Sequence, residues 1–528
     1  MSAHGHILDL KRAMARLVTY STANDLMRHE DVFAECEPWM EKIFDFPSSD
    51  RRFGDYAIAY RHLCSNIAFR RYVIAYLLRD IVNSEGSRNY TFSGLDDFML
   101  SFYSYRFGGA PPCRIVRNPR MGSVLLRLLG GLISSFYTAM WIAWRIRISP
   151  PAPISYFLGC DFAGSGQDVM LFNEIGDASG NILCVLRNER FRPVFDTFGL
   201  NADVCLSTDG YFGLGEGARM ITGALGQIAR LHSRASNLPG ECHGQLLLFP
   251  YRRAVYRSLF NRYRPSHFWS RDEYNTEHTI RSQELRRIGA KSLGIMHGMY
   301  SIGEFSHTVR YIDFDIFYMH GSYAFDHAYK HTWPKHMSVR FIGSFGLTRE
   351  EFERLPCPRP ADIAVYLHPH QALEKCLAAV AEVAMAFPAK KVFINSKNVY
   401  LEGIMKEPID RLLKRGPENI EVYYDRSYDL FLKCQYVLSD GSTMTAEAIQ
   451  FGLATFFLDF DVLLKKSLYR DFPQMCVTTA DQAIDRIRAI EAGVSVYPRE
   501  TLSELIEIDG PIAWDIIRRD LGLAANDV

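Results

Sequence analysis

Thirteen short apolar runs, separated by stretches of helix length, occupy the chain after Pro153 and restrict its fold more than any other feature. The first series is Ile154–Leu158, Ile182–Leu186, Val204–Leu206, Leu246–Phe249, His267–Trp269, Ser292–Met296 and Phe314–Met319. The second is Val339–Ile342, Ile363–Leu367, Val392–Ile394, Ile420–Tyr423, Tyr436–Leu438 and Thr455–Leu458. Runs of this length alternating with helical stretches predict parallel strands joined by crossover helices, an α/β class. The break Gly343-Ser-Phe-Gly346 reads as a hinge between two facing, doubly wound, Rossmann-like domains at 151–340 and 341–528. Ligands of such sheets bind beyond the carboxyl ends of the strands, so the expected site is the cleft between the two halves.

Residues 1–150 follow a different period. Phe53, Tyr56, Ala57, Tyr60 and Leu63, then Ile67, Ile74, Leu77 and Ile81, recur at helical spacing. From Phe98 to Cys160 the chain has no Asp, Glu or Lys but seven arginines. Inside that window, 122–147 is nearly continuous apolar sequence interrupted by Arg127, Gly130 and Gly131. Its length approaches a bilayer span, but the internal arginine and the glycines favour an interfacial helix on the cytoplasmic face of the inner membrane. The competing reading is a core helix covering the next domain. Pro150, Pro151 and Pro153 then stiffen the passage into the strands.

Composition removes several classes of function. The 528 residues carry 60 Lys plus Arg and 60 Asp plus Glu, without the cationic excess of a nucleic-acid binder. The 11 cysteines form no CxxC pair, and Met1–Val18 has charged residues where a signal peptide needs an apolar block, which together suggest the cytoplasm. No GK[ST] phosphate loop, HExxH or GxSxG occurs. Asp-x-Asp occurs only at Asp313-Phe-Asp315 and Asp459-Phe-Asp461, and the expected chemistry is independent of metal and of any cofactor.

The segment Tyr436-Val-Leu-Ser-Asp-Gly-Ser-Thr-Met-Thr-Ala-Glu-Ala-Ile-Gln-Phe-Gly452 reads as strand, small polar loop and helix. Gly441, Ser442 and Thr443 offer backbone N–H groups, hydroxyls and the positive end of a helix to a phosphate, and Glu447 stands one turn on, able to accept from a diol. The same residues also suit an ordinary helix cap. His297 and Gly298 follow the strand Leu293–Met296, which puts an imidazole beside open space and makes it a candidate general base. His320 ends the next strand in the same manner. His368 ends the first strand of the second half, and Lys397 follows the next, so both are candidate phosphate contacts. Asp161 and Asp168, in the glycine-rich Gly159-Cys-Asp161-Phe-Ala-Gly164-Ser-Gly166-Gln-Asp168, are rival bases, while Asp209-Gly210 is a candidate cleft turn.

The 436–452 segment resembles the nucleotide-diphosphate loop of GT-B glycosyltransferases and of UDP-sugar 2-epimerases, in which a Ser/Thr-rich turn precedes a Glu-Ala pair. Arg286-Arg-Ile-Gly-Ala-Lys-Ser-Leu-Gly-Ile-Met-His297-Gly-Met-Tyr-Ser301, followed by His320-Gly-Ser-Tyr323, resembles the His-Gly turn of bacterial capsule polymerases and CDP-glycerol glycerophosphotransferases. His368-Pro369 is similar to the His-Pro pair of sialyl- and polysialyltransferases, whose His contacts a cytidine nucleotide. Asp209-Gly210 is similar to the acidic-Gly pair of polysialyltransferases. The ordered pieces cover roughly residues 245–460 and not the first 150. The resemblance implies a glycosyltransferase that takes a CMP-, CDP- or other nucleotide-linked sugar and delivers it to a surface polysaccharide (capsule or lipopolysaccharide) or lipid-linked glycan; direct displacement would invert the anomeric centre, with retention as the alternative outcome. A sugar-nucleotide 2-epimerase of the same fold, or a non-catalytic polysaccharide-binding protein, stand as alternatives.

Overall fold

The computed structural model describes residues 7–9, 41–84, 91–93, 97–111, 114–116, 121–162, 170–171, 174–175, 181–235, 238, 240–298, 309–355, 360–369, 372–460, 468–508 and 513–523. Its centre is two separate parallel sheets. The first contains β1 (Ile154–Phe162), β2 (Ile182–Leu186), β3 (Asp203–Leu206), β4 (Tyr263–Ser270), β5 (Lys291–Ile295), β6 (Ile316–Met319) and β7 (Ser338–Phe341), in the order β7-β6-β5-β4-β1-β2-β3. The second contains β8 (Asp362–Tyr366), β9 (Val392–Asn395), β10 (Ile420–Val422), β11 (Cys434–Ser439), β12 (Ala454–Leu458) and β13 (Cys476–Val477), in the order β10-β9-β8-β11-β12-β13. Every neighbouring pair in both is parallel. Counted from the first strand of each half, both sheets run 3-2-1-4-5-6, the Rossmann order, the first with one further strand at its edge. The chain is therefore α/β with two Rossmann-like sheets, the GT-B arrangement.

The apolar runs form these strands because helices cover both sheet faces. All five residues of β2 are buried, as are all five of β12. One expected strand is helix instead. Leu246–Phe249 lies across the end of α4 (Gly240–Leu247) and the start of α5 (Phe249–Arg262), where Leu246, Leu247 and Phe249 are buried. A four-residue apolar run has no period of its own, and Pro250, which fits the first turn of a helix, is the local sign of the helix start.

The N-terminal helices are built into the first half. In α1 (Ala57–Ser84), Tyr60, Cys64 and Ile67 share a core with Leu231, Cys242, Leu246 and Ile280. The His62 ring is bonded to Thr276 Oγ1 and to the Glu273 carbonyl, both at 3.0 Å. A small parallel sheet of Ile7–Asp9, Thr91–Ser93 and Arg114–Val116 joins this region, expected to be purely helical. Helix α2 (Met121–Trp144) runs antiparallel to α3 (Leu214–Arg234). A Cβ at Gly131 would lie 3.3 Å from the His232 ring, and one at Gly217 2.4 Å from Ile146, so these glycines set the closeness of the two helices.

Three of the connections between the two halves involve the connector and the C-terminal segments. The expected hinge, Gly343–Gly346, is tightly packed: a Cβ at Gly346 would fall 1.8 Å from the Tyr428 ring. Gly343 has a left-handed φ of 68° and abuts Gln450, whose Oε1 accepts from Ser344 N. Residues 504–507 reach back to the first half, where Tyr323 N donates to Glu504 O and Glu507 N to His320 O. Last, α7 (Ala513–Asp520) returns to the first sheet, burying Trp514 and Ile517 among Leu158, Trp269 and Ile342.

Candidate functional site

A cleft of about 890 Å³ opens where the carboxyl ends of the two sheets face one another. His297, Gly298 and His320 line it from the first half; His368, Lys397, Ser442, Thr443 and Glu447 line it from the second. The residues come together because each stands within about three residues of its strand's carboxyl end: His297 after β5, His320 after β6, His368 after β8, Lys397 after β9, and Ser442 after β11.

Strands β8 and β11 are the neighbours at which the order of the second sheet reverses, so the crevice between their ends is the topological switch point. Gly441 takes a positive φ of 118°, a conformation suited to glycine, and turns the chain into α6 (Thr443–Gln450). Ser442 caps this helix, its Oγ accepting from Met444 N at 3.3 Å. The capping role coexists with exposure to the cleft. Asp440, buried beside the turn, accepts from His368 N at 2.9 Å and lies 3.3 Å from His368 Nδ1. That contact fixes Nδ1 on the carboxylate and leaves Nε2 as the ring's other polar edge.

Glu447 is buried, not displayed. Its Oε2 accepts from Tyr428 OH at 2.5 Å and from Ser344 Oγ, and burial pushes its carboxyl pKa up. The Nε2 of His320 lies 3.9 Å from Glu447 Oε1, beyond hydrogen-bond reach. Both ring nitrogens of buried His320 lack a hydrogen-bond partner among the described residues, and burial, then Arg271, lowers its pKa to about 4. The His320 carbonyl is clamped by Gly343 N and Glu507 N, and a Cβ at Gly321 would come 2.4 Å from Leu505 O.

His297 has its backbone N bonded to Glu273 Oε1 at 2.6 Å and its ring edge-on to Tyr274. Burial, Arg271 and Lys397 together lower its pKa to about 4, so at neutral pH it is an uncharged acceptor. A Cβ at Gly298 would lie 3.0 Å from Thr443 Oγ1. This is where the His-Gly turn of one half touches the Ser-Thr turn of the other. Arg271, whose guanidinium lies over the Phe345 ring, and Arg426, ion-paired with Glu351, add cations to the lining.

Other candidates stand elsewhere. Asp161 does not line the cleft. Strand β1 extends to Phe162, so Asp161 and Gly159 belong to it, and a Cβ at Gly159 would meet the Phe268 ring at 2.6 Å. The Asp161 carboxylate is held by Arg187 at 2.6 Å and by Arg281 at 3.3 Å, which together also hold Asp272. Asp168 lies outside the described residues. Asp209 caps its own turn, accepting from Leu206 N at 2.8 Å, and Gly210 is required because a Cβ would meet the Ser258 backbone at 2.0 Å. Asp313 and Asp315 are engaged by Arg286 and Asp459 by Arg470, while Asp461 lies outside the described residues. Sequence reading passed over Arg271, Ser344, Tyr428 and Asp440. Asp440 sits directly before the glycine of the turn and Arg271 directly after β4, so both were open to notice; Ser344 and Tyr428 meet the site only through tertiary contact.

Among solved structures, the chain is similar in course to a UDP-GlcNAc 2-epimerase from Neisseria meningitidis bound to UDP-GlcNAc, with 10% identity, 70% of this chain and 99% of that one covered, and a TM-score of 0.43. It is similar also to Acinetobacter baumannii MurG, with 12% identity, 70% and 99% covered, and a TM-score of 0.37. The lipopolysaccharide outer core galactosyltransferase WaaB gives 11% identity, 70% and 98% covered, and a TM-score of 0.37. No family model matches the sequence, and no curated protein matches it.

Proposed function

We propose that this protein is a glycosyltransferase that moves a sugar from a nucleotide donor to a hydroxyl of a surface polysaccharide or lipid-linked glycan. The observation that carries the reading is the meeting of His297-Gly298 with Ser442-Thr443 across the cleft, a candidate base opposite a helix start suited to a diphosphate. In this reading the N–H groups and hydroxyls of Ser442 and Thr443, with Lys397 and His368, hold the donor phosphates and stabilise the leaving charge as the glycosidic bond breaks. No cofactor or metal is invoked. Glu447, already bonded to Tyr428 and Ser344, keeps Oε1 for a donor hydroxyl.

His297 takes the acceptor proton as the hydroxyl oxygen attacks the anomeric carbon from the face opposite the leaving group. Its low pKa makes it a weak base in the empty cleft. A bound diphosphate would offset Arg271 and Lys397, the two cations that depress it, and so strengthen the base when the donor is present. Inversion follows from a single displacement.

The test is a thermal-shift panel of CMP, CDP, UDP, GDP and their sugar conjugates on wild type and Lys397→Ala. A ligand at about 100 times its Kd adds roughly 2.7 kcal/mol, well above detection. Stabilisation by one nucleotide family, reduced in the variant, is the expected result. Donor turnover only when a glycan acceptor is present supports transfer. Conversion of the donor sugar at C2 without acceptor replaces transfer by epimerisation, and binding without turnover leaves a carbohydrate-assembly protein.

A further inference from the structure

Helix α2 has two unlike faces. On one, Thr138, Trp141 and Ile142 are buried, and the last two form a core with Phe212 and Ala254. On the other, Leu125, Leu128, Leu132, Phe136, Met140 and Trp144 form a ridge, with Leu132 67%, Phe136 70% and Trp144 76% exposed. The ridge continues past the helix into Ile148, 88% exposed, and lies beside an α3 that itself exposes Leu214 and Leu225. At 24 residues the helix is about 36 Å long, and an apolar surface of that length on a water-facing element is a binding surface. No helix among the described residues is long and apolar enough to cross a membrane.

Charge selects the occupant. Arg114, Arg117 and Arg120 precede α2 in sequence, Arg145 and Arg147 follow it, and no acid occurs from Phe98 to Cys160. Arg145 lies over the Trp144 ring, so a cation borders the exposed aromatic end. On α3 the sole acid, Glu216, is bonded to Asn261 and lines a separate groove with Arg253 and Arg257. A second copy packed on this ridge about a two-fold axis would set arginines near arginines, with no carboxylate in residues 98–160 and only the engaged Glu216 on α3 to pair them. A bilayer containing anionic lipid accepts the apolar side chains and pairs the arginines. The geometry points to α2 as a helix that lies in the headgroup layer of an anionic membrane, its ridge in the acyl boundary and its other face fixed to the first half. The inference is independent of the transfer reaction.

Flotation of the full-length protein with phosphatidylcholine vesicles, with and without phosphatidylglycerol, tests it, alongside light scattering in lipid-free buffer. The wild type is expected to float with the anionic vesicles, less at high salt, and to be a monomer without lipid. Arg147→Gln should weaken partition roughly fivefold, the share of one surface cation. Leu132→Glu with Phe136→Glu should abolish flotation, and the milder Leu132→Gln with Phe136→Gln should reduce it, both with unchanged melting because these side chains touch solvent. Failure of the wild type to float overturns the inference. So does equal flotation with neutral vesicles, unchanged flotation of the glutamate variant, or a lipid-free dimer that this variant breaks.

Discussion

His297 and His368 face the same cleft under opposite electrostatics. Two cations and burial depress His297, whereas the Asp440 carboxylate sits against the Nδ1 edge of His368. With the donor concentration varied, kcat/KM reports the free enzyme, and its acid limb is expected near pH 4, where His297 takes up a proton. The acid limb of kcat, reporting the donor complex, is expected at higher pH, because phosphate charge cancels that of Arg271 and Lys397. In Lys397→Ala the free-enzyme limb should move upward; coincident limbs in pH–rate profiles would deny His297 this role. Asp440→Asn retains an acceptor for His368 N but removes the charge behind the ring. A hydrogen bond to a charged group contributes about 1.5–3 kcal/mol, so donor KM should rise on the order of tenfold or more, with kcat changed less. Steady-state kinetics separates the two constants.

At the scale of elements, the connector Gly343–Gly346 is closely packed against the second half. Gly346→Ala drives a methyl into the Tyr428 ring, and overpacking of this kind costs about 1–3 kcal/mol, measurable as a lowered urea midpoint with unchanged slope. Because Tyr428 OH is bonded to Glu447, the variant should also weaken nucleotide binding. The strand ends carrying His297, His320, His368, Lys397 and Ser442 were legible in the sequence because each follows an apolar run that a parallel sheet must bury. Leu246–Phe249 was not, since an apolar run so short fits a buried helix as well as a strand. Gly159 and Asp161 were misplaced for a related reason: β1 continues four residues beyond its apolar start, and its glycine makes room for Phe268, a contact 109 positions away that leaves no local signature.

For the molecule as a whole, the buried histidines set the acid limit. His243 and His320 are lowered to about 4 and His278 to about 3, all chiefly by burial, against about 6.5 in an unfolded chain. Between those values the unfolded chain binds more protons than the folded one, so stability is full above about pH 6.5 and lost as pH falls toward 4. Each fully buried histidine contributes a slope of up to about 1.4 kcal/mol per pH unit. Glu447, raised by burial, acts in the opposite sense and offsets part of the loss. Urea midpoints should therefore fall steadily between about pH 6.5 and 4.5. The union of α1 with the first half is another property at this scale, and the sequence did not show it: His62 bonds to residues more than 200 positions away.

The return of α7 to the first sheet has a consequence for how the chain is made. Trp514 and Ile517 complete a core whose other members include Leu158, Leu186 and Trp269. While a ribosome is still adding the second half, the first lacks this plug, and its apolar floor stays open until residues 513–520 emerge. Synthesis therefore cannot finish the two halves in the order in which they are written, and the earlier one is sealed last.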